Sequence, residues 1–548
     1  MLGHSKIVYS MNDILKDSFA AANFARDLGK VKEATSGCYD LVVVGGGIHG
    51  AWLARDAILR GCRVLLLEAR DYGEGTSSRS SKMIHGGVRY LESGDVKLVF
   101  ESLAERARLL DIASHLSREQ RFFYPAISGS TRPGWQNRIG LTAYDALAKI
   151  SSFRDGTKAL PGCRGVSESE AGYKRLEKMG LSFDSLLEYS DGQMNDVRIV
   201  VEAILDASEL GATCLNHAPV KAISRKGKNF QVEWERAGES YSSETEFIIN
   251  CTGPWSSGIE KMLGREQDTF PKLVLSRGTH LLFDVPWEGP GLILPTGEKG
   301  RYYFVWPHFH PGSNATLVGT TDQITKDVPD DPQANQVEID QLVGYIKRDL
   351  PSSDLAGAEF YQSFCGLRAL AQTNSGSGSV SSISRSEIWL EGEGWLSLAG
   401  GKYTSARHTA ESGIGKYFEK QKKAAVSKDI IEEVRSRKLP GSQGQVDQVK
   451  LKKQLDKTLS GASEERKNAI LDSLIARFGS KSEEVIAYNS SENVDSVSDG
   501  LLFCEVKYTI EREQPITVID ILRRRLGLSH LAGFSSKAEE LVREIAGR

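Results

Sequence analysis

The chain has 548 residues, of which 40% are hydrophobic and 26% charged, and its formal net charge is −3. That is ordinary globular composition with ample material for a core, and the slight acidic surplus argues against a general nucleic-acid binder. Seven cysteines without a Cys-x-x-Cys pair exclude a disulfide framework and a zinc site and fit a reducing compartment. The length suggests several domains.

Residues 1–38 read as a polar lead-in with one amphipathic helix, since Leu15, Phe19, Phe24, Leu28 and Val31 recur at roughly helical spacing. The opening, MLGHSKIVYSMNDILKDSFA, lacks the apolar core of a signal peptide, and no run approaches the roughly 18–20 apolar residues of a membrane span. The expectation is therefore an intracellular, cytoplasmic protein.

Residues 39–69 predict strand, glycine turn, helix and strand: Tyr39–Val44, a helix from about Ile48 to Arg60 ended by Gly61, and RVLLLEA at 63–69. The turn is Gly45-x-Gly47-x-x-Gly50, which alone is weak but here stands between a buried strand and a helix. Gly45 permits the tight turn, Gly47 lets the backbone approach a pyrophosphate, Gly50 lets helix and strand pack closely, and the helix N-terminus offers its N–H groups to the phosphates. Glu68 lies at the end of the second strand, where a carboxylate binds ribose hydroxyls and repels a 2′-phosphate. NAD and FAD both fit this much.

Residues 95–150 read as largely helical, broken at Pro125 and Pro133. Residues 196–211 predict an amphipathic helix capped by Asp196. From about 214 to 310 the pattern turns to β: FQVEWE alternates, EFIINCTG is a buried run, and THLLFDV and RYYFVWP look like strands. Residues 374–383 are Ser/Gly-rich and mark a surface excursion. WLSLAGGKYTSARHTAES then runs from strand through glycines into a helix. From about 421 the chain becomes Lys-, Glu- and Gln-rich, and the tail to 548 is helical by pattern. The domains expected are the 1–38 lead-in, an interleaved pair of domains over 39–420, and a C-terminal helical domain over 421–548. His308 and His310 share a strand face, but no neighbouring Cys, Asp or Glu completes a metal set, so no metal is expected.

The ordered set VVVGGGIHGAWLARDAILRG, TSSRSSKMIHGGVRYLE, EYSDGQMNDVRIVVEAILDASELGA, NCTGPWSSGI, SRGTHLLF, GRYYFVWP, LVGTTD, GLRAL and LAGGKYTSARHTAE resembles the FAD-dependent (aerobic, respiratory) glycerol-3-phosphate dehydrogenase family over most of 39–411. The tail, with YTIEREQPITVIDILRRRLGL, is similar to the helical cap of those dehydrogenases. The resemblance implies an α/β fold: an FAD-binding Rossmann-like domain with a mixed-sheet substrate domain of the D-amino-acid-oxidase type, plus a C-terminal all-α domain. It implies FAD held by Gly45, Gly47, Ile48, His49, Gly50, Glu68, Ala69, Thr76, Ser77, Ser78, Ser81, Lys82, Val220, Thr252, Gly253, Gly400, Gly401, Lys402, Tyr403 and Thr404. It implies catalytic or substrate-binding roles for His85, Arg89, Arg301, Arg368 and Lys402, the three arginines suiting a phosphate. The expected reaction carries hydride from C2 of sn-glycerol 3-phosphate to flavin N5, with electrons passed to a quinone by a protein peripheral on the inner membrane surface. Arg132, Trp135 and Arg138 are candidate membrane contacts.

Several alternatives stay open at this point. The acceptor could be oxygen, the substrate an amino or hydroxy acid, or the chain a non-catalytic flavoprotein or a plain NAD dehydrogenase. The proton acceptor is His85, Lys402 or a water held by Arg301. A homodimer is also left open. Three positions depart from the family's pattern: Trp52 where a small residue is usual, His49 where Asn or Thr is commoner, and Ala406 where Tyr is usual. Trp52 is expected to point away from the pyrophosphate.

Overall fold

The computed structural model describes residues 17–91, 95–128, 134–265, 271–298, 300–309, 313–372, 387–459, 461–488, 502–528 and 536–547. Expectations resting on Leu15, Arg132, His310 and residues 374–383 fall outside this set, and of Arg89 only the backbone belongs to it.

The β-α-β unit forms where the apolar runs and glycines place it. Leu41–Val44 and Val64–Leu67 are parallel neighbours, joined by the Ile48–Leu59 helix. They sit within a six-stranded sheet ordered Ile388–Gly392, Trp395–Ala399, Ile248–Asn250, Leu41–Val44, Val64–Leu67 and Thr213–Leu215. All pairs are parallel except the first. Parallel strands must be covered on both faces. The Ile48–Leu59, Asp196–Glu209 and Ala406–Lys420 helices cover one face. The second face packs on a small sheet containing Val220–Lys226, Asn229–Arg236 and Glu239–Thr245.

A larger mixed sheet, including the long strands Lys272–Phe283 and Phe360–Gln372, stands beside this layer. One of its members corrects a sequence expectation. Residues 117–127, read as helical, form an 11-residue strand antiparallel to Phe183–Met194, flanked by the Val96–Ile112 and Gly134–Asp155 helices. Pro125 is tolerated because only Phe122 and Phe123 pair on the strand's other side. Asp196 is also reassigned: Asn195 caps its helix by accepting from the Arg198 N–H, while the Asp196 carboxylate takes the Lys82 ammonium at 2.6 Å.

The N-terminal segment forms two short helices, Ser18–Arg26 and Leu28–Ala34, broken at Asp27. They bridge two parts of the chain. Phe19 joins the core of the C-terminal helices, whereas Val31 packs in the core beneath the small sheet. Arg236 and Asp27, 2.7 Å apart, pin the break.

The tail is helical as expected, including a π-helix at Asp520–Arg525. It is tied to the six-stranded layer by buried charge. Asp71, fully buried, accepts from Arg525 at 2.7 and 2.9 Å and from Arg524; Glu513 holds Arg198 at 2.7 Å. Asp71→Ala leaves two buried guanidinium groups without their common partner, which costs about 3–5 kcal/mol. The expected outcome is a correspondingly lower midpoint of denaturant unfolding, and an unchanged midpoint would mean the network contributes nothing to stability.

Candidate active site

The glycine turn is built as the motif requires. Gly45 has φ +106°, and a Cβ there would lie 2.8 Å from the Cys251 carbonyl oxygen. At Gly50 a Cβ would come to 1.8 Å from the Gly45 oxygen, so only glycine lets the helix descend onto the strand end. Gly47 caps the helix with no side-chain bond, leaving its N-terminus facing a cleft of about 1220 Å³. At that end the Ile48 N–H donates to the Ser77 hydroxyl at 3.0 Å.

Glu68 lies where a ribose would need it. Its carboxylate accepts from the Gly46 N–H at 2.6 Å and the Arg70 N–H at 2.8 Å, while burial, outweighing those bonds, raises its pKa. The cleft runs on past Val220, Thr252 and Gly253, then between Thr76, Ser77, Ser78 and Ser81 on one side and Gly400, Gly401, Lys402, Tyr403 and Thr404 on the other. Ile48, His49 and Ala69 line it too. Two residues of the expected set do not: Gly50 acts through packing, and Lys82, at φ +57°, turns its buried ammonium to Asp196 and the Ser78 carbonyl. Lys82 is thus corrected from flavin contact to ion pair. Trp52 is 2% exposed in the core and absent from the cleft wall. His49 packs its ring against Gly401, and burial pushes its pKa down to about 4, so it is a neutral group.

A second cavity, of about 530 Å³, adjoins the cleft. The two share Ser81, Met83, His85 and Arg368, so His85 stands at their junction. Arg301, just ahead of the Tyr302–Pro307 strand, and Arg368, on the Phe360–Gln372 strand, enter this chamber and converge on residues 320–322. Arg301 donates to the Asp322 carbonyl at 2.6 Å; Arg368 donates to the Thr320 hydroxyl at 2.8 Å and the Thr321 carbonyl at 3.2 Å. Arg301 also pairs with Glu298 at 3.2 Å and Arg368 with Asp322 at 3.3 Å, so the orientation of each guanidinium is fixed. Arg89 belongs to the Val88–Leu91 turn on the same wall, with its side chain outside the described residues. Lys402 lines the cleft but not the chamber. Thr404 accepts the His85 backbone N–H at 3.3 Å, and Ser405 takes the cap position of the helix that follows.

Sequence reasoning missed the groups that support this junction. His280 bonds the Ser81 hydroxyl at 2.9 Å and stacks on Phe364, with ring centroids 4.9 Å apart. Burial first, then the charges of Arg368 and Lys82, hold its pKa well below the usual imidazole range. Behind His85, the Gly86 N–H donates to the Tyr144 hydroxyl at 2.7 Å; that hydroxyl donates to Asp191, which pairs with Arg106 at 2.6 Å. No local signal marks these residues, because the contacts join segments far apart in sequence.

A cleft of this volume, with a glycine turn and ribose-ready carboxylate at one end and a titratable junction at the other, fits a flavin dinucleotide. The fold and cleft thus define a flavin-dependent oxidoreductase. The family model for the FAD dependent oxidoreductase matches residues 40–407, and that for the C-terminal domain of alpha-glycerophosphate oxidase matches 433–547. The chain is 30% identical over 536 residues to glycerol-3-phosphate dehydrogenase of Synechocystis, covering 92% of each. It is 35% identical over 383 residues to D-erythritol 1-phosphate dehydrogenase of Brucella abortus, covering 68% of this chain and 72% of that one. The glycerol-3-phosphate dehydrogenase from Bacillus halodurans, solved with FAD, has the same fold, with a TM-score of 0.72 at 22% identity and coverage of 96% and 93%. The chain belongs to the FAD-dependent glycerol-3-phosphate dehydrogenase family, and its cofactor is FAD.

Gly50→Ala is expected to yield protein without flavin absorbance, because the new Cβ meets the Gly45 oxygen. Gly415→Ala, with open space around its Cβ, should stay fully yellow; equal flavin content in both would refute the packing argument.

Proposed function

We propose that the protein oxidises sn-glycerol 3-phosphate to dihydroxyacetone phosphate. The observation that carries this reading is the convergence of Arg301 and Arg368 on one wall of a chamber whose junction with the cofactor cleft is His85. Bound FAD supplies the hydride acceptor. Arg301 and Arg368 hold the phosphate by charge-assisted pairs, and the His85 imidazole takes the C2 hydroxyl proton. Met83, Val88, Ile293 and Phe304 line the chamber and keep water from the reacting carbon. Lys402 places positive charge beside the flavin end of the cleft.

Electrons then pass to a quinone at a membrane surface. No helix among the described residues is long and apolar enough to cross a membrane. The surface reading is supported by the Gly134–Asp155 helix, which exposes Trp135 at 62%, Ile139 at 61%, Ile150 at 58% and Phe153 at 91%, with exposed Arg138 among them. Ile139 also lines the chamber, so the apolar face lies beside the chamber wall.

A second reading, a four-carbon polyol phosphate, is favoured by the depth of the chamber. Its wall also carries the hydrogen-bonded pairs Gln341–Tyr345, at 2.8 Å, and Tyr124–Tyr302, at 2.9 Å, both suited to extra hydroxyls. The relative from Brucella abortus bears the name of such an activity.

Anaerobic titration with glycerol 3-phosphate and with erythritol 1-phosphate, following flavin absorbance, decides between them: the substrate bleaches the flavin at stoichiometric concentration. Arg368→Ala should raise KM about 10–100-fold, the equivalent of about 1.5–3 kcal/mol for bonds to a charged group, while His85→Ala should lower the rate of bleaching about 10²-fold. Stoichiometric hydrogen peroxide with no stimulation by added quinone would refute the acceptor assignment.

A further inference from the structure

The cofactor cleft is not walled by the FAD-binding layer alone. The C-terminal helices turn inward at 515–526, and Thr517, Ile519, Asp520, Arg523 and Arg524 line the cleft beside His217 and Glu74. This is the end that takes the ADP half of the cofactor. The Ala218 N–H bonds the Glu68 carbonyl at 2.8 Å, and the His217 N–H bonds the Arg70 carbonyl at 2.7 Å, so this lobe continues directly from the ribose-binding carboxylate.

Four arginines border the cleft here, and three are committed to the protein. Arg70 lies over the Trp255 ring at 4.8 Å and donates to the Asp330 carbonyl. Arg79 pairs with Asp331 at 2.6 Å and donates to the Pro332 carbonyl at 2.9 Å. Arg524 pairs with Asp520 at 2.6 Å and with Asp71. Arg523 differs: its side chain is exposed in the cleft wall and makes no hydrogen bond or ion pair among the described residues. Partial desolvation, and then the neighbouring Arg524 charge, lower its pKa, so an anion placed there would relieve an existing cost.

Its position is fixed rather than left to a loose tail. The Asp520 carboxylate accepts from the Ile516 and Thr517 N–H groups, each at 2.9 Å, and bonds His217 at 3.0 Å, while Arg524 and Arg525, which follow Arg523 directly, are anchored by Asp71. The element presenting Arg523 is therefore welded to the layer that binds the cofactor. The glycine turn, which lines the same cleft, offers backbone N–H groups and no side-chain cation to a pyrophosphate.

We propose that Arg523 is a cofactor-binding residue supplied by the C-terminal domain, its guanidinium pairing with the pyrophosphate of the ADP half of FAD, so that this domain clamps the cofactor. The assignment rests on FAD binding alone and is independent of which polyol phosphate is oxidised.

The test uses full-length apoprotein titrated with FAD, ADP and adenosine by calorimetry. Arg523→Ala should weaken FAD and ADP about tenfold each and leave adenosine unchanged. Added salt should narrow the difference from the parent protein, and Arg523→Lys should retain most of the affinity for both phosphates. Unchanged affinity for FAD and ADP would overturn the proposal. Equal losses for ADP and adenosine would also overturn it, since the residue would then act through the base or through the shape of the lobe. Because Arg523 is exposed and unbonded, the apoprotein's melting temperature should not move; a fall accompanied by equal losses for all three ligands assigns it a structural role and refutes the clamp.

Discussion

The close descent of the Ile48–Leu59 helix onto the end of its strand governs everything built around it. With no Cβ at Gly50, the helix approaches until its backbone nearly touches the Gly45 carbonyl. That contact aims the helix N-terminus into the cleft and fixes what the opposite face must do. Trp52 and Arg55 are carried into the core, Arg55 lying over the Trp52 ring at 5.2 Å. A buried arginine needs compensation. It receives it from Asp206 at 2.6 Å and from the Arg437 carbonyl at 2.8 Å; Arg437 in turn pairs with Asp206 at 2.9 Å. The glycine that makes room for a phosphate thus also dictates where the chain after residue 421 is received.

Charge, rather than apolar area alone, joins the parts. Asp206, Asp71, Glu513, Glu202 and Glu105 are each buried and each satisfied by arginine or histidine from a distant segment. Apolar contacts tolerate sliding, whereas a buried ion pair is costly unless its geometry is kept. Such pairs therefore set the register of the C-terminal helices against the FAD-binding layer more sharply than their hydrophobic core could. Where those helices also wall the cofactor cleft, register becomes function.

The cofactor anchor was legible in the sequence because its determinants are local. Four apolar residues, three glycines and an acid one strand later lie within thirty positions, and each has a physical reason tied to its spacing. The chamber was not legible in the same way. Ser276 faces Arg368, and His280 faces both Phe364 and Gly319, through strand pairings that span up to about ninety residues. His280 therefore looked like one polar residue in an apolar strand. Lys82 shows the opposite failure: it stands in a segment that lines the cleft, but a left-handed backbone turns it to an aspartate 114 positions away. Residues 117–127 misled because Pro125 looked like a helix break, when the pairing leaves no N–H required there.

The division between local anchor and non-local chamber bears on how such a protein can change substrate. The cleft and the chamber share only Ser81, Met83, His85 and Arg368, and the backbone around His85 is braced from behind by Tyr144, Asp191 and Arg106. The backbone at the junction thus keeps its place independently of the residues lining the rest of the chamber. Tyr124, Tyr302, Gln341 and Tyr345 line the chamber and not the cleft. Substituting them alters the space for extra carbons and hydroxyls while leaving the junction intact. Side chains of the chamber wall can therefore change without moving the residues shared with the cleft.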